Sequence, residues 1–349
     1  MSGRTRSAES LVRPSCDDAP ALTENVKIGV AGLGSMGRQH VRVLSEMSGV
    51  DVVVVADADP AARERVEQHA PVSTATDWRE LLDAPVDAVV NALPTPAHHE
   101  VTLALLEAGK HVLVEKPIAT TPEQAEELVA AADRHGRLLV VGHVERFNPA
   151  ITRLQQLLVA GEIGETVAIS TRRVGIARPV APATDVVIDL AIHDIDVCGF
   201  LLPETQGRLA FASARALWGN QVEDHADLVV RFGQAVAAIQ ANWITPVKIR
   251  RMTVTGTEGI ADVDYLEQSL RVYRGAPEVF AGPVWDFFAV ARESEPEDIP
   301  VTRAEPLRAE LESFVAQVRA GDTSLVQARQ ASRALALAVE ARDMIRGTR

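Results

Sequence analysis

From Val26 to His143, short apolar runs alternate with segments of helical period, and no other property of the chain restricts its fold as strongly. The runs are VKIGVAG (26–32), VDVVVVAD (50–57), VDAVVNAL (86–93), HVLVEKP (111–117) and RLLVVGH (137–143). Consecutive β-branched residues of this kind fit strands buried on both faces. Helical segments near 35–47, 61–69, 97–108 and 122–135 separate the runs. Strand and helix in alternation predict parallel βαβ units, and so a doubly wound, Rossmann-like α/β domain over residues 26–146. The preceding residues 1–25 are polar and aperiodic and lack the apolar core of a secretory signal; a disordered tail is expected.

The pattern changes beyond residue 146. A helix is expected at Pro149–Val159, a strand at 166–174 and a helix around 188–196. Further strands follow at 208–217, 226–232, 235–244, 248–256, 259–265 and 269–273, with turns such as FGQ and TGTEG between them. Short turns between such runs predict hairpins. Residues 147–349 are therefore expected to form an α+β domain with a large, mainly antiparallel open sheet and C-terminal helices, serving substrate binding and oligomerisation. Apolar residues on that sheet predict a homodimer or homotetramer joined through its open face. A chain of 349 residues is in any case too long for one ordinary core. Its net charge of −13, with no basic block, argues against nucleic acid. No apolar run reaches membrane-spanning length, about 18 residues, so no membrane partner is expected. Two cysteines, Cys16 and Cys198, cannot make a disulfide framework, which fits a reducing, cytoplasmic setting.

GLGSMG, Gly32 to Gly37, follows the first strand and opens the first helix, the context in which G-x-G-x-x-G binds a dinucleotide. Gly32 permits the tight turn, Gly34 lets backbone approach a pyrophosphate, and Gly37 permits close helix–strand packing. Ser35 and Met36 lie in the same loop, at a helix N-terminus whose free N–H groups suit phosphates. Asp57 ends the second strand, where an acid accepts from a ribose diol and repels a 2′-phosphate; NAD is expected over NADP. Two more loops sit at carboxyl ends of strands. NALPTPAHHE offers Pro94, Thr95 and His98 to the nicotinamide side, and VEKPIAT offers Glu115 and Lys116.

IDLAIHDID, residues 188–196, sets ionisable groups among isoleucines. At helical period Asp189, His193 and Asp196 share one face, and Ile188, Ile192 and Ile195 form the neighbouring stripe. Either this is a surface helix with an incidental histidine or it carries acid–base groups. No third ligand stands at a spacing that suggests a metal site.

GLGSMG, EKP at 115–117 and DLAIHDID in this order resemble the family of glucose–fructose oxidoreductase, inositol dehydrogenase and MocA, over nearly the whole chain after residue 25. The resemblance implies a nicotinamide-binding domain, a sheet domain that holds a sugar or cyclitol, and Lys116, Asp189 and His193 as catalytic residues. It also implies a cis peptide at Lys116–Pro117. VGHVERFNPA, RRVG and ANWITPVKIRRMTVTG look most like the UDP-N-acetylglucosamine 3-dehydrogenase branch, although the approach ARPVAPATDVVID is shorter than that branch usually has and lacks glycine. The implied reaction oxidises a secondary hydroxyl, C3 of UDP-N-acetylglucosamine. Alternatives are a dehydrogenase or ketoreductase of another sugar, sugar phosphate, cyclitol or antibiotic sugar, or a non-catalytic dinucleotide sensor on the same fold. Ordinary pKa values favour His193 as base and Lys116 as the cation that polarises oxygen, with exchanged roles the alternative. Arg172, Arg173, Lys248, Arg250 and Arg251 are the cations available for a diphosphate, and strand alternation separates Arg251 from Lys248 and Arg250. Arg146, Asn148 and Trp243 are expected sugar contacts by resemblance alone.

Overall fold

The computed structural model describes residues 25–176, 184–217, 222–275 and 295–347, so the expected tail, except Asn25, lies outside the described residues. The first sheet is six-stranded and parallel, in the order β3-β2-β1-β4-β5-β6. Its strands are β1 (Val26–Ala31), β2 (Val50–Ala56), β3 (Ser73–Ala75), β4 (Ala88–Asn91), β5 (His111–Glu115) and β6 (Leu139–Gly142). The helices between them are α1 (Ser35–Glu46), α2 (Pro60–Glu67), α3 (Glu80–Asp83), α4 (Thr95–Glu107) and α5 (Pro122–His135). β3 and α3 were not expected, being too short to leave a period. Strand order reverses between β1 and β4, and the crevice at their carboxyl ends is where such sheets bind ligands.

The second sheet has eight strands in the order β14-β13-β12-β11-β7-β10-β9-β8. These are β7 (Thr166–Ile176), β8 (Gly207–Arg215), β9 (His225–Phe232), β10 (Ala235–Asn242), β11 (Ile244–Gly256), β12 (Gly259–Asp264), β13 (Ser269–Arg274) and β14 (Glu297–Ile299). The sheet is mainly antiparallel, as expected; at its centre β7 pairs parallel with β10 and antiparallel with β11. The chain leaves β7 for the far edge at β8 and returns by hairpins, so β10 arrives beside β7 running the same way. Parallel neighbours require such a crossover.

Helices cover one face of this sheet. Inward positions such as Ile169, Leu228, Val230, Ile239, Met252 and Val254 are buried. The open face carries Ser170, Arg172, Arg231, Arg251 and Arg271, with Val229, Val236 and Ile260 among them. Phe211, Ala238 and Tyr273 lie on it too, so the face is mixed, apolar residues between arginines. The chain end also departs from the expected division. In α8 (Pro306–Arg319), Leu307, Leu311, Phe314 and Val318 join Val26, Ile28 and Val30 in one core, so α8 packs on the first domain. The last helix, α9 (Val326–Gly347), adds Leu335 and Ala338 to a core shared by both sheets.

The stretch expected as one regular helix begins instead with a π turn, Val187–Ala191, and continues as α7 (Ile192–Leu201). Asp185 Oδ1 accepts from the amides of Val187 and Ile188, both at 3.0 Å, and sets the start of that turn. Two buried ion pairs then hold α7. Asp194 accepts from Arg173 of β7 at 2.7 and 3.1 Å, and Glu145 takes the third guanidinium nitrogen at 2.6 Å. Asp196 accepts from Arg146 at 2.7 and 2.5 Å.

Removing one partner of a buried pair leaves a charge with no compensation. Asp196→Ala is expected to lower stability by about 3–5 kcal/mol in urea unfolding; a loss under about 1 kcal/mol, the value typical of exposed pairs, would contradict this account of α7.

Candidate active site

The glycine loop has the shape a dinucleotide needs. Gly32 stands at φ +88°, and a Cβ there would meet Ala92 O at 2.7 Å. A Cβ on Gly37 would lie 1.8 Å from Gly32 O, so only glycine lets α1 pack onto the turn. Gly34 faces open space. No side chain caps α1 and no acid lies in its first turn, so its amides remain for an anion. Ser35 and Met36 are exposed on that turn. Asp57 Oδ2 accepts from Leu33 N at 2.6 Å and Oδ1 from Asp59 N at 2.8 Å, which fixes the acid beside the loop. These features fit a bound NAD-type dinucleotide.

Pro94 and Thr95 sit at the mouth of the crevice, where α4 begins. His98 does not present itself there. It is buried, with Nδ1 and Nε2 each 2.8 Å from a carbonyl, those of Pro117 and Leu93. The expected cofactor contact is thus corrected to a brace between the loops after β4 and β5. Burial lowers the His98 pKa, more than its two carbonyl neighbours raise it.

Glu115 lies under the second of these loops. Its Oε1 stands 2.8 Å from His40 Nε2 of α1, and its Oε2 accepts from the Lys116 amide at 3.2 Å. Burial raises the Glu115 pKa, but the hydrogen bond and charge of His40, with Lys116, outweigh it and hold the carboxyl below its usual value. The Lys116–Pro117 peptide is cis, as the resemblance implied. Lys116 Nζ crosses to the second domain and donates to Asp189 at two points, the backbone carbonyl at 2.8 Å and Oδ1 at 3.3 Å.

His193 is half-buried on the same side. Its Nδ1 is enclosed, whereas Nε2 is on the open side. Burial pushes its pKa well below the usual histidine value, and the charges of Lys116, Arg173, His143 and Arg250 push it the same way. The ring is neutral at neutral pH. Lys116, Asp189 and His193, named far apart in the chain, therefore meet where the cofactor crevice opens on the second sheet. Asp196 lies below them in its buried pair with Arg146.

The expected substrate contacts fare differently. Arg146 and Arg173 are buried and committed to Asp196, Gln330, Asp194 and Glu145. Asn148 caps the helix Pro149–Val159 and donates to Tyr265 O at 3.1 Å. Trp243 is buried as the single residue between β10 and β11. These four are corrected to framework residues, because a buried polar group takes the nearest protein partner. Arg172 stands across from Arg251 on the open face, away from the site. Lys248 is exposed and precedes the regular ladder of β11 with β7, which resumes at Ile249. Arg250 is opposite Arg173 and half-buried; among the described residues its guanidinium donates through Nη1, to Val174 O at 2.7 Å and Ile249 O at 2.9 Å. His143 went unnoticed in the sequence. It is buried at the end of β6, its ring edge-on to that of His193 with centroids 6.5 Å apart. No metal-holding group of three His, Cys, Asp or Glu exists among the described residues.

A dinucleotide cradle whose crevice ends on a lysine, an aspartate and a neutral histidine defines the class, a nicotinamide-dependent oxidoreductase. Residues 26–143 match the oxidoreductase family model with its NAD-binding Rossmann fold, and residues 151–262 match the GFO/IDH/MocA C-terminal domain. The chain belongs to the GFO/IDH/MocA oxidoreductase family. It is 30% identical over 324 residues to UDP-N-acetylglucosamine 3-dehydrogenase of Acidithiobacillus ferrooxidans, covering 91% of this chain and 96% of that one. Inositol 2-dehydrogenase 2 of Saccharopolyspora erythraea is 38% identical over 182 residues, 51% of this chain and 54% of that one. The solved structure of the Acidithiobacillus enzyme superposes with a TM-score of 0.81 at 26% identity, over 93% of this chain and 98% of that one. A 3-ketoreductase from Actinomadura kijaniata, solved with TDP-benzene and NADP, shares the fold at a TM-score of 0.77 and 20% identity, over 93% of this chain and 97% of that one.

Burial also lowers the pKa of His143, to about 4, against the opposing charge of Asp196. A histidine kept neutral in the fold binds its proton more readily when unfolded, so stability falls as pH drops below about 6.5. His98, His143 and His193 all act in this sense, while Glu310, whose pKa burial raises, opposes them. Urea midpoints are expected to fall between pH 7 and pH 4.5, and to fall less in His143→Phe; equal falls in the two proteins would contradict a neutral buried His143.

Proposed function

We propose that this protein is an NAD-dependent dehydrogenase that oxidises C3 of a UDP-N-acetylhexosamine, with UDP-N-acetylglucosamine as substrate. One observation carries the choice of sugar. The similarity to UDP-N-acetylglucosamine 3-dehydrogenase runs through both domains, while that to inositol 2-dehydrogenase 2 covers 51% of the chain. The greater local identity of the latter supports a cyclitol as the second reading. A non-catalytic sensor would have no use for the Lys116–Asp189 contact beside a neutral His193.

A nicotinamide bound in the crevice supplies the hydride acceptor. Lys116, in contact with Asp189, binds the substrate oxygen and stabilises the charge that grows on it. His193 Nε2 takes the hydroxyl proton as the carbinol becomes a carbonyl. Arg250, with part of its guanidinium uncommitted, supports recognition of a diphosphate better than Arg172, Arg173 or Lys248. Asp57 favours NAD, since a 2′-phosphate would meet its charge. A second copy of the chain on the open sheet face completes the reading. Val229, Val236 and Ile260 give that contact an apolar part and the arginines a polar one.

The test is reduction of NAD and NADP across UDP-sugars, free sugars and cyclitols. Turnover is expected with UDP-N-acetylglucosamine and NAD. Lys116→Met is expected to lower kcat at least 100-fold with NADH binding nearly unchanged, and Asp57→Ala to narrow the preference over NADP. Turnover of inositol alone would overturn the substrate and leave the class. Light scattering at micromolar concentration is expected to give a dimer or tetramer, and Val229→Glu a smaller species; a monomeric wild type would overturn the face contact.

A further inference from the structure

His143 has no part in the reaction as described, yet it is the ring closest in kind to the base. It is buried at the end of β6, and neither of its ring nitrogens has a hydrogen-bond partner among the described residues. His193 Nδ1 is likewise enclosed without one. Three enclosed ring nitrogens thus belong to two imidazoles that meet edge-to-face with centroids 6.5 Å apart. Buried polar groups are paired by protein or by water, and a water there needs several polar neighbours.

The protons can be assigned from what surrounds the pair. His143 Nδ1 stands 3.5 Å from Asp196 Oδ2, an acceptor whose charge favours a proton on that nitrogen. Asp196 is itself fixed by Arg146. His143, kept neutral by its burial, then carries its lone pair on Nε2. His193 must hold its own proton on Nδ1 if Nε2 is to receive the proton of a substrate. One nitrogen needs an acceptor and the other a donor, roles that a single water between the rings would fill.

We infer that His143 is the positioning residue for the base. Through one bridging water its Nε2 holds His193 as the Nδ1–H tautomer and keeps His193 Nε2 open to the substrate. The series runs Arg146, Asp196, His143, water, His193, substrate hydroxyl. Other charges that face His143 are Lys116 and Glu115 of the loop after β5. The inference rests on His193 as the proton acceptor, but the tautomer can be read without substrate.

The test is solid-state ¹⁵N spectroscopy of the full chain labelled at histidine, with His193→Gln to assign the signal. Wild-type protein at pH 7.5 is expected to show His193 protonated at Nδ1. His143→Phe, which keeps a ring but no lone pair, is expected to shift His193 toward the Nε2–H form. It should also lower kcat at least tenfold while KM changes less than twofold. His143→Gln, which restores an acceptor, is expected to recover most of both. An Nε2–H His193 in the wild type, or an unchanged tautomer in a folded His143→Phe, would overturn the inference. The wild-type spectrum alone decides if that variant fails to fold. Loss of turnover on every sugar with the expected tautomer intact would instead overturn the proposed reaction.

Discussion

A carboxylate enclosed in protein must be paired or it costs several kcal/mol, and helix α7 encloses two. Asp194 points to Arg173 in the second sheet, and Asp196 points to Arg146 just after β6. The helix cannot turn about its axis or slide without unpairing one of them. Held on both sides, it presents His193 at one place, over the end of the first sheet. The π turn before it, started by Asp185, sets Asp189 where Lys116 reaches both its carbonyl and its carboxylate. Such single turns recur at functional sites because they aim a side chain that a regular helix would not.

These pairs also govern the electrostatics. With Asp194 and Asp196 engaged by their own arginines, the charges that act most on His193 are positive and, with burial, keep the ring neutral. Lys116 instead has a carboxylate, that of Asp189, beside its Nζ. Lys116 and His193, 77 residues apart in sequence, thus stand in opposed environments at one site. The cost appears as buried polar groups that pack less favourably than hydrocarbon would, Glu310 and His143 among them.

Much of the first domain was legible because its signals are local. Turn glycines at 32 and 37 answer to contacts within a few residues or with an adjacent loop, and the valine runs answer to burial on both faces. The second sheet was less so. Hairpins can be read from turns, but the place of β7 beside β10 depends on a crossover whose end point has no sequence mark. The cations were the hardest. Arg146 and Arg173 carry the composition of an anion site, and only the fold shows that Asp196 and Asp194 have taken them. His98 likewise looks like a loop histidine until two carbonyls close on its ring.

Sequence by itself gave away the two kinds of sheet and the dinucleotide loop, through a repeating period and a short motif, and pointed to Lys116, Asp189 and His193 through a family resemblance. Only the tertiary structure decided which charges are engaged inside the framework, and that the ring of His143 stands edge-on to that of His193. The reason is physical. A period says which face a side chain leaves from, but its charge, its proton and its accessibility are set by what the rest of the chain packs against that face.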